Sequence, residues 1–311
     1  MLSRTAENLY WTGRYMERAE NLSRLLDVSF RAALLPAADA NPAADWQSAL
    51  DILGITDAYK AKHGGINQDS VIVFLTLDTS HPYSIKSCID QSRENARTLR
   101  ATLSVELWES LNTTWLEMKN ISRQSLLERG PRSVFDWVKE RSHLFRGVAY
   151  STLLHNDAFH FLRLGTHLER ADNTSRLLQA KDRSLGALPP EGGTAYYQWG
   201  AVLRSVSAFR AYTQIYRDVI EPVRVAELLI LKAEMPRSLR FCFDQITNAL
   251  DALSQGRDLE CRRLAGEMQA KLRYSRIEHL ESQGVGDFLS VILNRLNGLG
   301  VQIGRDFLMT V

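Results

Sequence analysis

A fourteen-residue stretch, Gly13-Arg14-Tyr15-Met16-Glu17-Arg18-Ala19-Glu20-Asn21-Leu22-Ser23-Arg24-Leu25-Leu26, returns 152 places later as Gly165-Thr166-His167-Leu168-Glu169-Arg170-Ala171-Asp172-Asn173-Thr174-Ser175-Arg176-Leu177-Leu178, and nine of the fourteen positions are identical. At a usage of roughly 6% per residue type, chance supplies such a match on the order of once in a thousand chains. The chain is therefore internally duplicated, and whatever it folds into must place this helix twice. What survives is mostly polar. A duplicated core helix has to keep its apolar stripe, while an exposed polar side is free to drift, so retention of Glu17, Arg18, Asn21, Ser23 and Arg24 in the second copy signals a constraint on those side chains.

With 311 residues the chain is long enough to bury a large core without staples. Its 45% hydrophobic and 24% charged composition and net charge of +2 are those of an ordinary globular protein. No basic tail or interleaving of aromatic and basic residues marks a nucleic-acid partner. Cys88, Cys242 and Cys261 are odd in number and lie in no metal or disulfide pattern, so they read as buried apolar residues in a reducing compartment. The N-terminus has no apolar core of the signal-peptide kind, and the longest uninterrupted apolar run is Val71-Ile72-Val73-Phe74-Leu75. A cytoplasmic protein without membrane spans is expected.

Nearly every segment has 3.6-residue periodicity and none alternates for long, so the expected class is all-α: a bundle of roughly ten helices carrying the duplicated motif. The first helix is expected from Ser3 to about Leu35, with Leu9, Met16, Ala19, Ser23, Leu26 and Phe30 in one core-facing arc. A loop follows over Pro36 to Asp45. Later breaks fall at Gly64-Gly65, Gly130-Pro131, Pro189 to Gly193, Gly256 and Gly284, and Pro82, Pro131 and Pro236 are expected in first helical turns. The chain reads as one domain over 1–311, with an internal layer boundary near 189–193.

At 100° per residue, Glu17, Glu20 and Arg24 share one edge of the first helix, and Arg14, Arg18 and Asn21 flank it. Glu169, Arg170, Asp172, Asn173 and Arg176 repeat the pattern. Three readings stand. The arc is a solvated face of weak pairs; or the two motif helices pack about a pseudo-twofold, with Glu17 meeting Arg170 and Glu169 meeting Arg18 in a buried network; or the arc lines a cleft that binds a charged molecule through bidentate arginines. A di-metal centre is not expected, because an arginine follows each leading glutamate where a bundle metal site wants histidine. Arg93, Arg97 and Arg100 form a second stripe, which either pairs with acids such as Glu94 and Glu106 or receives an anion or a partner. His155, His160 and His167 lack metal-ligand spacing, and no nucleophile elbow, phosphate loop or dinucleotide fingerprint occurs. The six tryptophans read as core or helix-interface anchors.

Asn8-Leu9-Tyr10-Trp11-Thr12-Gly13-Arg14-Tyr15-Met16-Glu17-Arg18-Ala19-Glu20-Asn21 resembles the opening of the bacterial alpha-E family, which is named for helical structure and a Glu-Arg motif. Further matches follow in order at Pro82-Tyr83-Ser84-Ile85, Ala96-Arg97, Leu103-Ser104 with Glu106 and Trp108, Leu111-Asn112, Glu169-Arg170-Ala171-Asp172 and Pro236-Arg237-Ser238. His81 departs from the asparagine the family favours before Pro82. The resemblance implies an association with a circularly permuted ATP-grasp ligase and transglutaminase-like cysteine peptidases, in systems that make, attach or remove short peptides. The expected role is a non-catalytic helical subunit working with such a ligase, without cofactor or metal, with Arg237 joining Arg93, Arg97 and Arg100 as candidate anion or partner contacts. Two alternatives remain open: an enzyme using paired Glu and Arg for acid-base work on an anionic substrate, and a purely structural scaffold.

Overall fold

A computed structural model of the chain describes residues 1–33, 42–128, 130–185 and 193–308. Sixteen helices are present among them: α1 (Ser3–Ala33), α2 (Pro42–Leu53), α3 (Thr56–His63), α4 (Gln68–Leu77), α5 (Ile85–Thr98), α6 (Val105–Lys119), α7 (Arg123–Glu128), α8 (Arg132–Thr152), α9 (Asp157–Leu185), α10 (Gly193–Ser205), α11 (Phe209–Tyr216), α12 (Pro222–Leu231), α13 (Leu239–Ser254), α14 (Glu260–Tyr274), α15 (Ile277–Gln283) and α16 (Val285–Phe307). No strand occurs among the described residues, and no described helix is long and apolar enough to cross a membrane. The expected end of α1 at Leu35, most of the loop after it and the Pro189 to Gly192 stretch lie outside the described residues.

The helix count exceeds the expected ten because several turns carry neither glycine nor proline. The break between α10 and α11, for example, is closed by the Ala208 amide donating to the Leu203 carbonyl at 2.7 Å.

The duplication runs far beyond the motif. The last eight helices repeat the first eight in order, and seven packing pairs recur with the helix number raised by eight: α2 with α3, α2 with α4, α3 with α4, α4 with α5, α4 with α7, α5 with α6, and α6 with α8. Core positions correspond too. Buried Trp46, Tyr59, Phe74, Ile85, Cys88 and Phe135 of the first half have buried counterparts in Trp199, Tyr212, Leu228, Leu239, Cys242 and Leu289. Tyr59 and Tyr212 each donate their hydroxyl to a loop carbonyl, of Gly65 at 3.4 Å and of Val219 at 2.8 Å. The described residues divide into two compact units, Met1–Thr166 and His167–Val311, with the division inside α9.

Ser84 and Ser238 start α5 and α13 in the same way. Each side chain accepts from the backbone amide three residues on, at 3.1 Å for Ser87 and 3.0 Å for Phe241. Pro82 and Pro236 therefore precede the caps by two residues rather than occupying first turns, and Pro131 is itself the cap of α8. His81 fills the role of an Asx residue in the turn before Ser84, its Nδ1 accepting from the Tyr83 amide at 3.3 Å.

Candidate functional site

Within the first unit, α1 and the opening turns of α9 cross in direct backbone contact at Gly13 and Gly165. A Cβ on Gly13 would lie 2.2 Å from the Leu162 carbonyl oxygen and 3.2 Å from the Thr166 nitrogen. A Cβ on Gly165 would lie 2.0 Å from the Tyr10 carbonyl oxygen and 3.1 Å from the Arg14 nitrogen. Leu162 and Thr166 are the counterparts of Tyr10 and Arg14 under the 152-place shift, so the crossing is reciprocal. This is why the repeat keeps a glycine in mid-helix, where it costs about 1 kcal/mol against alanine.

Below that crossing α1 has no solvated polar arc. Glu17 is 1% exposed and Glu20 0%, and Asn21, Arg24 and Asp27 are buried as well. The solvated-face reading of the first copy is corrected accordingly, because α8 packs over the polar edge and supplies partners of its own. Arg146 of α8 donates through Nη1 to Glu17 Oε2 at 3.1 Å and also to Glu20 Oε2, while Ser142 Oγ donates to Glu20 Oε2 at 2.8 Å. Arg24 Nε closes the other side on Glu20 Oε1 at 2.7 Å. His143 completes the rim at 57% exposure; its Nε2 lies 3.2 Å from Arg24 Nη2, which a neutral ring can accept from, and 3.5 Å from Glu20 Oε1, which a protonated ring would face. One helical turn further, Asp27 takes Arg31 at 2.9 Å and Lys139 of α8 at 3.0 Å. Burial raises the Asp27 carboxyl, but hydrogen bonds from Arg31 and Lys139 outweigh it and hold the group below the usual aspartate value.

Arg14 and Arg18 lie beside this edge against aromatic rings. Arg14 sits 5.0 Å from the Trp11 ring centroid, and Arg18 lies 4.8 Å from that of Tyr83.

The second copy keeps the motif with a different opposite face. Asp172 pairs with Arg176 at 2.7 Å along α9, and both are partly exposed. Arg170 donates to the Pro236 carbonyl at 3.3 Å, and Thr174 to that of Arg237 at 3.0 Å. Glu169, Arg170 and Arg237 are buried, and Asn173 is half-buried. The helix that corresponds to α8 is α16, and under a shift of 154 places (Phe135 to Leu289, Phe145 to Leu299) the counterparts of Lys139, Ser142, His143 and Arg146 are Leu293, Leu296, Asn297 and Gly300. The fold is thus built once with a polar α8 and once with an apolar α16. Sequence reasoning missed Ser142, His143 and Arg146 because they lie outside the repeated stretch; the signal was their loss from the second half.

The Arg93, Arg97 and Arg100 stripe is not one helix face, since α5 ends at Thr98 and Arg100 lies in the following turn. Glu94, on the same helix, takes Arg97 at 2.9 Å and also Arg93; these bonds hold its carboxyl below the usual value. Glu106 has no ion pair among the described residues. The neighbouring helix α6 offers indoles instead, with Trp115 and Trp108 under the guanidinium groups. All three cysteines are buried thiols, and burial, then Asp306, pushes the Cys261 thiol far up. Among the described residues no group of three or more His, Cys, Asp or Glu is placed to hold a metal ion.

A family model described as "a predicted alpha-helical domain with a conserved ER motif", Alpha-E, matches residues 1–308, which include both Glu17-Arg18 and Glu169-Arg170. The chain belongs to the alpha-E family. This alpha-E chain is also 25% identical over 327 aligned positions to an uncharacterized protein of Mycobacterium bovis, and 25% and 24% identical to uncharacterized proteins of two strains of Mycobacterium tuberculosis. Each alignment covers 97% of this chain and 36% of the relative, so the alpha-E chain spans about a third of the length of the curated relatives it matches. No solved structure matches it.

Proposed function

We propose that this alpha-E chain is a non-catalytic helical subunit that works in the cytoplasm with an ATP-grasp amide ligase and a transglutaminase-like peptidase, in a system that makes or modifies short peptides. The observation that carries this reading is the state of Glu17 and Glu20. A general acid-base carboxylate must meet substrate and exchange a proton with it. Here both carboxylates are buried, with Arg146 on both and Arg24 and Ser142 on Glu20, so they serve better to fix α8 against α1 than to turn over a substrate. The buried thiols offer no accessible nucleophile. In the mycobacterial relatives the corresponding region is one part of a longer polypeptide, which supports a role exercised together with other domains.

Purified chain alone is expected to release no phosphate from ATP, and calorimetry with an ATP-grasp partner is expected to show binding that weakens with added salt. ATP or peptide turnover by the isolated chain, abolished by Glu17→Gln or Glu169→Gln in variants that stay folded, would replace this reading with the enzyme.

A further inference from the structure

The outer face of α6 is unlike a solvated helix surface. Val105, Trp108, Asn112, Trp115, Leu116 and Lys119 fall within a 100° arc at helical spacing, beside the buried arc of Leu107, Leu111, Thr114 and Met118; Trp108 and Trp115 are half-buried, Trp115 with one side on the core. Val105 is 68% exposed and Leu116 49%. Cations lie over the two indoles: Arg93 is 4.4 Å from the Trp115 ring centroid, Arg100 is 4.7 Å from that of Trp108, and Lys119 Nζ is 4.2 Å from that of Trp115. Arg100 has no ion pair or hydrogen bond among the described residues, so the ring is its contact, while Lys119 shares the nearby carboxylate of Asp90 with Lys86. Arg93 and Arg97 share the single carboxylate of Glu94.

The second half shows that the fold does not require this face. Under the 154-place shift, Arg93, Arg97, Trp108 and Trp115 become Thr247, Asp251, Arg262 and Gln269, and there Arg262 pairs with Asp251 at 2.5 Å and Gln269 donates to Asp244 at 2.8 Å. That polar surface is closed on itself, whereas the α5–α6 surface carries surplus positive charge, two tryptophans and two exposed aliphatic side chains. Tryptophan and arginine are the residues that concentrate binding energy at protein interfaces, and an excess of cations over carboxylates beside them selects an anionic partner.

We propose that the α5–α6 face is a docking surface for an acidic protein segment, whose carboxylates meet Arg100 and Lys119 and whose apolar side chains pack on Trp108, Trp115, Val105 and Leu116. The proposal rests on the reading of the chain as a binding subunit. Its test is a fluorescein-labelled amphipathic peptide of glutamate and leucine, titrated with the full chain and followed by anisotropy. Wild type is expected to bind at low salt, and the double variant Arg100→Ala, Lys119→Ala to bind about tenfold more weakly, with Trp108→Ala lowering affinity by a similar factor. Gln269→Ala, on the counterpart surface, is expected to leave binding unchanged. Arg100 and Lys119 are exposed, so circular dichroism melts of their variants should match wild type. Absence of binding, or binding indifferent to these substitutions, overturns the proposal. So does tighter binding of an oligothymidylate or of phosphatidylglycerol vesicles that the same variants abolish, because it assigns the face to a nucleic acid or a membrane. A null result here leaves the ligase assay standing, and a failed ligase assay leaves the peptide result standing.

Discussion

At Gly13 two magnitudes oppose each other. Alanine in place of a mid-helix glycine gains about 1 kcal/mol in helix propensity, yet its methyl group would sit 2.2 Å from the Leu162 carbonyl oxygen, an atom of rigid backbone that cannot move aside as a side-chain end can. Overpacking a tight contact costs roughly 1–3 kcal/mol and more where backbone must shift. Gly13→Ala and Gly165→Ala are therefore each expected to lose about 2 kcal/mol or more in denaturant melts, and a gain in either would show that the helices do not cross so closely. The carboxylate of Asp27 poses a question of sign. Its folded value lies below the unfolded one, so the stability it contributes is full above the ordinary aspartate range and disappears as pH falls through the folded value. Asp27→Asn is expected to lower stability at neutral pH and to converge with wild type as pH falls below the folded value, which is read from urea melts across the acid limb. Asp27 lies one place beyond the repeated stretch and its counterpart is Gln179, so nothing in the repetition pointed to it. Its role depends on Lys139, a residue more than a hundred positions away that only packing brings near.

At the scale of the helix and its turns, the two halves solve one problem with different residues. The turn after α3 holds Gly64 at φ 70°, and the corresponding turn after α11 holds Arg217 at φ 50°. Left-handed backbone costs a residue with a Cβ roughly 1–2 kcal/mol, part of which glycine gives back through its freer unfolded chain. Arg217→Gly is expected to raise stability by about 0.5–1 kcal/mol, and a thermal melt shifted downward would show that the arginine side chain is held by more than its turn. Helical class, the breaks at Gly64, Gly130, Gly256 and Gly284, and the apolar arc of α1 were legible in the sequence because periodicity and glycine report local geometry directly. The short helices α3, α7, α11 and α15 were not, since turns such as Val206 to Ala208 are closed by backbone hydrogen bonds that leave no residue signature. The Arg93 stripe misled for a related reason. Spacing predicted a continuous face through Arg100, but α5 ends two residues earlier; Glu94 pairs with Arg93 and Arg97 as expected, and at Arg100 an indole of α6 takes the place of an acid.

Across the whole chain the informative comparison is between the two copies. The fourteen-residue repeat revealed the duplication, but the candidate site became visible only where the copies disagree: α8 brings Ser142, His143 and Arg146 to α1, and α16 carries Leu296, Asn297 and Gly300 at the same places. If the two copies held the motif in the same environment, matched substitutions would cost the same. The environments predict otherwise. Glu20→Gln removes the buried charge shared by Arg24 and Arg146 and leaves Arg146 with the carboxylate of Glu17, a loss of about 3 kcal/mol or more. Asp172→Asn, at the same motif position, weakens a partly exposed (i, i+4) pair worth roughly 0.3–0.5 kcal/mol. The double variant Glu20→Gln, Arg146→Ala is expected to lose clearly less than the sum of its single changes, because both single changes break the same Glu20–Arg146 contact. Urea melts of these variants decide the matter: equal losses at positions 20 and 172, or strict additivity of the α1–α8 pair, would mean that the buried Glu20 cluster does not fix α8 against α1, and the structural reading of Glu17 and Glu20 would lose its support.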